Sequence, residues 1–258
     1  MEKFKRFFAE WRILLRSTPS IIVCLFVLSV FAMNLLANKS INLGVDWLAL
    51  DCGIIVSWVA FLCMDVLTKH FGPKAATQIS IFAIAINLLI CIVMFIASVI
   101  LGTWGAFFDY GEQQVVNDAL NSTFGGTWYV LLGSTVAFVA SALINNFCNW
   151  GIGRIFVKKP DGFGAYVCRT YVSTALAQFA DNLIFALIVS HFFFGWTIIQ
   201  CLTCAATGML AELLCEAIFS PLGFAVCRRW QKENVGQEYF DFLQNHVNNQ
   251  PQNTEVQQ

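Results

Sequence analysis

The stretch 175–189, which reads ALAQFADNLIFALIV, is apolar enough to lie in a membrane, yet it contains Gln178, Asp181 and Asn182 within two helical turns. A carboxylate at the centre of a membrane-spanning helix costs at least about 2.5–3.5 kcal/mol. Such a residue therefore usually faces a protein interior or a water-filled cavity. The rest of the sequence should supply the other spanning helices and the polar partners of this carboxylate.

The composition indicates an integral membrane protein. Hydrophobic residues make up 58% of the 258 residues and charged residues only 12%, whereas soluble domains carry roughly 25% charge. Most of the ten cysteines lie in apolar segments, where cysteine acts as a small hydrophobic residue. We therefore expect neither a disulfide framework nor a metal site.

Six apolar segments are long enough to cross a bilayer, for which about 20 residues are needed. They lie at 20–37, 46–68, 77–101, 127–150, 169–191 and 196–226. The sequence thus predicts an all-α integral membrane protein with a six-helix domain at 19–227, and a tilt or break in the last span near Pro221. A basic N-terminal segment (1–18) precedes this domain, a polar insert (103–126) interrupts it, and a tail (228–258) with a disordered end follows it.

The basic residues predict that both termini are cytoplasmic. Lys and Arg accumulate in cytoplasmic segments. With the N-terminus inside, the outer segments contain only Lys39 of the 15 basic residues. The insert at 103–126 then faces outward.

Polar side chains occur in the other predicted spans as well. The candidates besides those in 175–189 are Asn34, Asp65, Asn145 and Glu212. Asp65 could instead form an interfacial ion pair with Lys69 four residues later. The asparagines could be interhelical hydrogen-bond partners, worth about 0.6 kcal/mol each. Asp181 is the hardest to explain structurally, because no basic residue lies within helical reach of it.

These candidates favour a binding site for a small, flat, neutral or cationic heterocycle. Amides and carboxylates supply both donors and acceptors for its edges, and no buried Arg or Lys is available for an anionic ligand. Several aromatic residues offer flat surfaces for stacking: Trp47, Trp58, Phe61, Phe179 and Phe185. No catalytic or nucleotide-binding motif is present, so we expect no enzyme activity, no cofactor and no nucleic-acid partner.

The second span and its exit, LALDCGIIVSWVAFLCMDVLTKHFGPKAA (48–76), resemble the vitamin uptake transporter family, also called the queuosine precursor transporters. That family has the pattern F-L-x-x-D-[VL]-x-x-x-x-[YF]-G-x-x-x-A, which Phe61, Asp65 and Gly72 match here. Its small-Asn pair corresponds to Met33-Asn34, and its [GA]-[NQ]-x-x-D pattern to Ala177, Gln178 and Asp181. In the fourth span, Asn145 stands near the position where the family usually has Gln.

The resemblance implies an inner-membrane importer of 7-deazaguanine bases such as queuine, salvaged for tRNA modification. It also implies a six-helix bundle similar to the substrate-binding subunits of energy-coupling-factor transporters, and often a homo-oligomer. We predict a central pocket lined by Asp181, Gln178, Asn34 and Asn145, with Asn182 and Glu212 as further candidates. Asp65 would support the pocket or act as a gate near the cytoplasmic face.

Two other functions remain open from the sequence. The chain could be a substrate-binding subunit that needs an ATP-driven coupling module to import a vitamin or nucleobase. It could also be a membrane scaffold that transports nothing and binds a partner through the insert at 103–126.

Overall fold

The fold consists almost entirely of helices. The computed structural model describes residues 2–105, 113–155 and 163–248. Its helices and two short strands follow one another along the chain as α1 Glu2–Ser17, α2 Ser20–Leu36, β1 Ser40–Asn42, β2 Ala49–Asp51, α3 Ile54–Phe71, α4 Pro73–Val99, α5 Gln113–Ile155, α6 Phe163–Phe185, a π-helix Ala186–His191, α7 Phe192–Phe194, α8 Ile198–Lys232 and α9 Gln237–Asn248.

Five helical segments of the described chain are long and apolar enough to cross a membrane. They are Ile54–Phe71, Pro73–Val99, Gln113–Ile144, Thr174–Phe194 and Ile198–Lys232. The 17-residue helix α2 brings the number to six if it is counted together with α1, from which it is bent by 103°. The chain is therefore an all-α integral membrane protein, as the sequence predicts.

Local sequence explains where the helices begin and end. Gly72 has a φ of +90°, which glycine adopts readily, and Pro73 follows at the first position of α4. The turn between α3 and α4 is therefore a single residue. Helix α8 begins at a capping box in which Thr197 and Gln200 satisfy each other's backbone N–H groups.

Three local features differ from the predicted spans. The predicted second span begins at 46, but the chain there forms an antiparallel hairpin of β1 and β2 that pairs Ser40 with Asp51, and α3 begins only at Ile54. Helix α8 continues through Pro221 without interruption. Part of the polar insert is helical, because α5 begins at Gln113; residues 106–112 of that insert and residues 249–258 of the tail lie outside the described residues.

The largest buried cluster lies at the end of the bundle where α1 and α9 pack, which we call the cap end. Its largest fully buried side chains include Leu14, Leu67, Ile79 and Tyr239. At the opposite end, which we call the hairpin end, the hairpin is attached to α8. Gln200 donates from Nε2 to the carbonyl of Asp46 (2.9 Å), and Thr203 donates from Oγ1 to the carbonyl of Trp47 (2.8 Å).

Candidate functional site

A pocket opens between the base of the hairpin and the middle of the helix bundle. It contains about 540 Å³ of empty space, including its open mouth. Helices α2, α3, α5, α6 and α8 and the end of β2 all contribute to its wall. The polar residues of that wall are Asn34, Asp51, Ser57, Ser134, Asp181, Asn182 and Glu212.

Four of the seven residues predicted from the sequence line this pocket: Asn34, Asp181, Asn182 and Glu212. Gln178 lies one turn before Asn182 on α6 but is not part of the lining. Its backbone carbonyl accepts a hydrogen bond from Asn182 Nδ2 (3.0 Å), and its own Oε1 is buried without a partner among the described residues. Asn145 lies in α5, and its side chain is outside the described residues.

The carboxyl group of Asp181 is held by a neighbouring helix. Ser141 of α5 donates from Oγ to Asp181 Oδ1 at 2.9 Å. The same hydroxyl lies 3.0 Å from the carbonyl of Phe138. Because a serine hydroxyl has only one proton, these two donations are alternatives. The proton of Ser141 therefore goes either to Asp181 or to the carbonyl of Phe138 in its own helix.

Asn182 joins α6 to α8. Its Nδ2 donates to Glu212 Oε2 at 3.1 Å as well as to the carbonyl of Gln178. Both amide protons are thus used within the protein. Gly208 makes room for this arrangement, because a Cβ there would lie about 3.1 Å from the Asn182 carboxamide. With any larger residue at this position, the carboxamide of Asn182 would have to move by a few tenths of an ångström.

Asp51 is a pocket residue that the sequence-based prediction did not include. It ends β2, and its Oδ1 accepts from the backbone N–H of Gly53 at 2.7 Å. Burial raises the pKa of Asp51 to about 6, and the hydrogen bond from Gly53 limits that rise. The signal available in the sequence was the Asp-Cys-Gly run just before an apolar helix, which is typical of a helix N-terminus.

Asp65 lies outside the lining. Ile54, Ser57 and Phe61 of α3 face the pocket, and Asp65 follows Phe61 one turn farther toward the cap end. Its Oδ2 lies 4.0 Å from Lys69 Nζ, and its side chain is 39% exposed. This is the interfacial ion pair that the sequence offered as the alternative explanation for Asp65.

Two of the five aromatic residues considered from the sequence, Phe61 and Phe185, line the pocket. Trp58 instead stacks on Phe219, with ring centroids 4.2 Å apart, and Trp47 is 57% exposed. Phe61 and Phe185 thus provide the flat apolar surface of the site.

Taken together, the fold and the pocket define a helical membrane protein that spans the bilayer several times and encloses a polar site. Residues 51–226 match the sequence model of the family described as "Putative vitamin uptake transporter". The match covers more than half of the chain, so the chain belongs to this vitamin uptake transporter family. No curated protein and no solved structure matches the chain.

Membership confirms the resemblance drawn from the sequence motifs. It identifies the chain as a multi-pass membrane protein of a transporter family, and a transporter binds a small-molecule substrate. The family description does not specify a queuosine precursor.

Proposed function

We propose that the chain imports queuosine precursors, namely 7-deazaguanine bases such as queuine, across the cell's inner membrane for tRNA modification. The observation that carries the proposal is the excess of acceptors in the pocket. The pocket wall contains the carboxylate oxygens of Asp51, Asp181 and Glu212. Both amide protons of Asn182 already form hydrogen bonds within the protein, to Gln178 and Glu212. A ligand that fits this wall must be rich in N–H donors.

A 7-deazaguanine base has the required shape and donors. Its ring and exocyclic nitrogens present several N–H groups along one edge, and carboxylates accept from such base edges. Its flat ring suits the surface formed by Phe61 and Phe185. The donor Nδ2 of Asn34, which has no partner among the described residues, would serve the base's carbonyl oxygen.

The proposed path runs from the hairpin end to the cap end. Asp65 and Glu216 lie one helical turn beyond the pocket residues Phe61 and Glu212, and Glu216 is within electrostatic range of both Asp65 and Lys69. In this proposal these groups form a gate that the base passes after it leaves the pocket. Assembly into homo-oligomers belongs to the same proposal and is tested by the mass of the purified protein.

Cells that lack their own precursor synthesis provide the test. Expression of the chain should restore queuosine in tRNA when a 7-deazaguanine base is supplied in the medium. Failure with every precursor tested, in cells where the chain is inserted in the membrane, would overturn the proposed substrate.

Reconstitution of the purified chain alone separates this function from its alternatives. Uptake by proteoliposomes that contain no other protein would exclude the need for an ATP-driven coupling module. A scaffold would show no uptake, and its function would be lost when the insert at 103–126 is deleted.

A further inference from the structure

Helix α1 turns sharply away from the axis of α2. Pro19 has no backbone N–H and disfavours helical geometry in the residue before it, so α1 ends at Ser17 and α2 begins at Ser20. The two helices are bent by 103° relative to each other. Because so few residues connect them, the end of α1 lies within about 11 Å of the start of α2.

The start of α2 has the exposed apolar side chains of a helix in contact with lipid. Its 17 residues include no charged residue. Ile21, Leu25 and Leu28 are 70%, 45% and 62% exposed, and such side chains would face hydrocarbon in a bilayer. The hydrocarbon region therefore begins beside Ile21. Helix α1 runs nearly at right angles from that point, so it lies along the layer of lipid headgroups.

One side of α1 is basic and aromatic and faces away from the protein. Phe8, Arg12 and Arg16 follow one another at intervals of four residues, which places them on the same side of the helix. All three are exposed, whereas Glu10 and Leu14 on the opposite side are buried. We call Phe8, Arg12 and Arg16 the arginine stripe. Basic and aromatic residues of this kind are typical of helices that lie on a membrane surface.

The positive charge of the arginine stripe is poorly balanced within the protein. Arg12 forms no ion pair with any described residue. Arg16 lies 3.7 Å from Glu238 of α9, but both side chains are more than half exposed, and such surface pairs are weak. Glu10 of the same helix is already paired with Lys74. Charge complementarity therefore favours an anionic partner for the stripe.

We infer that the arginine stripe binds the phosphate groups of anionic phospholipids. A guanidinium group forms paired hydrogen bonds with phosphate oxygens. Lipid is favoured over an acidic protein because the short connection to α2 keeps the stripe at the level of the headgroups. The contact holds α1 against the bilayer surface, and the pair of Glu10 and Lys74 then links α4 to the same surface. This inference concerns a different surface from the pocket and does not rest on the proposed function.

Native mass spectrometry of the purified full-length chain in detergent micelles tests the inference. The two probes are phosphatidylglycerol, which is anionic, and phosphatidylcholine with the same acyl chains, which is zwitterionic. Each basic residue near an anionic lipid surface adds about fivefold in affinity, so the two arginines should give a preference for phosphatidylglycerol of about 25-fold. Arg12→Gln and Arg16→Gln should each lower this preference about fivefold. Arg12→Lys keeps the charge and should retain most of it.

Arg229→Gln is the matched control, because it removes an exposed arginine at the end of α8 whose charge is already paired with Glu233 at 2.8 Å. It should change the preference by less than about twofold. Both stripe arginines are exposed, so their substitution should leave the fold intact, and unchanged thermal unfolding in detergent checks this.

Equal affinity of the wild type for the two lipids would overturn the inference, and the stripe would then be available to an acidic protein instead. A preference that is unchanged in both Arg12→Gln and Arg16→Gln would mean that the anionic lipid binds elsewhere, and would overturn it as well. The same holds if Arg229→Gln lowers the preference as much as the stripe variants do.

Discussion

Buried carboxyl groups occur at both ends of the helix bundle, in opposite electrostatic settings. At the cap end, Glu10 of α1 is 2% exposed and pairs with Lys74 of α4 at 2.5 Å. Tyr239 of α9 is buried beside it, and burial followed by the proximity of Glu10 raises the pKa of Tyr239 to about 12. The negative charge of Glu10 is therefore balanced by Lys74. The contacts of Glu10 with Lys74 and Tyr239 hold α1 and α9 against the bundle.

Asp181 and Glu212, toward the hairpin end, have hydrogen-bond donors from Ser141 and Asn182 but no described basic partner in the pocket. The charge of Glu10 is balanced by Lys74 within the protein. The charges of Asp181 and Glu212 have no described basic partner in the pocket, so a bound ligand would have to balance them. This contrast supports the structural role of Glu10 and the binding role that we propose for the pocket carboxylates. Four predictions test this distinction.

The largest effect is expected for Asp181→Asn. The substitution removes a charged acceptor from the pocket, and hydrogen bonds to charged groups are worth roughly 1.5–3 kcal/mol, so uptake of a labelled 7-deazaguanine by proteoliposomes should fall about 100-fold. The control is Glu233→Gln, which removes one partner of the exposed ion pair with Arg229 at the end of α8 and should change uptake by less than about twofold. If the control variant lost as much uptake as Asp181→Asn, the loss could not be attributed to the pocket.

Gly208→Ala should weaken ligand binding by about tenfold, since overpacking typically costs 1–3 kcal/mol. The added Cβ would lie about 3.1 Å from the carboxamide of Asn182, so that group would have to shift by a few tenths of an ångström. Such a shift strains its hydrogen bond to Glu212. Gly223→Ala in the same helix is the matched control. Its Cβ meets Leu62 and Val66 at 3.2 and 3.3 Å, outside the pocket. Calorimetric titration of both variants should show the loss only at Gly208.

Lys74→Met should lower stability by about 1 kcal/mol or more while leaving ligand affinity unchanged, because it leaves Glu10 buried without its partner. Lys69→Met removes the partner of Asp65, which is 39% exposed, and should cost less than about 1 kcal/mol. Thermal unfolding in detergent measures both. A larger loss of stability in Lys69→Met than in Lys74→Met would contradict the stabilising role that we assign to the pair of Glu10 and Lys74.

The smallest effect that we expect is a dependence of ligand binding on pH. Because the pKa of Asp51 is raised to about 6, the group is ionised above about pH 7 and becomes neutral as the pH falls through 6. A base that donates N–H groups to Asp51 should therefore bind at full strength above about pH 7 and more weakly below about pH 6. Asp181 from α6, and Glu212 and Cys204 from α8, face the same pocket.

The contribution of Asp51 is isolated by comparing the wild type with Asp51→Asn across pH 5–8. The wild type should bind a 7-deazaguanine base about threefold more tightly than Asp51→Asn at pH 8, which corresponds to about 0.65 kcal/mol. This advantage should be lost near pH 5, where most of the Asp51 carboxyl group is protonated. An advantage that grows as the pH falls would contradict this sign.

The sequence predicts the helical membrane fold well, because apolar segments of bilayer length are a strong signal. It also identifies Asp181, Asn182, Asn34 and Glu212, since polar residues in such segments stand out against their surroundings. The family pattern contains Asn34 and Asp181 but neither Asn182 nor Glu212, whose place in the pocket wall is seen only in the structure.

The sequence does not reveal the hairpin. Residues 46–53 are apolar on average although they include Asp51 and Gly53. A prediction based on hydropathy therefore extends the following helix back over them. The sequence therefore predicts that Asp51 lies in a spanning helix (46–68) and gives no sign that it belongs to the site. Asp65 is a candidate because it is a polar residue of the second predicted span and is part of the family motif. In the structure it lies 11 residues into α3, about 16 Å from the helix start. Spacing along one helix cannot show where a pocket ends.

A structure of the chain with a bound 7-deazaguanine base tests the central claim most directly. We predict that the base lies between Asn34, Asp181 and Glu212, with its ring against Phe61 or Phe185 and its N–H groups toward the carboxylates. A base bound at the cap end beside Glu10 and Lys74, or on the outer surface of the hairpin with the pocket unoccupied, would contradict the account.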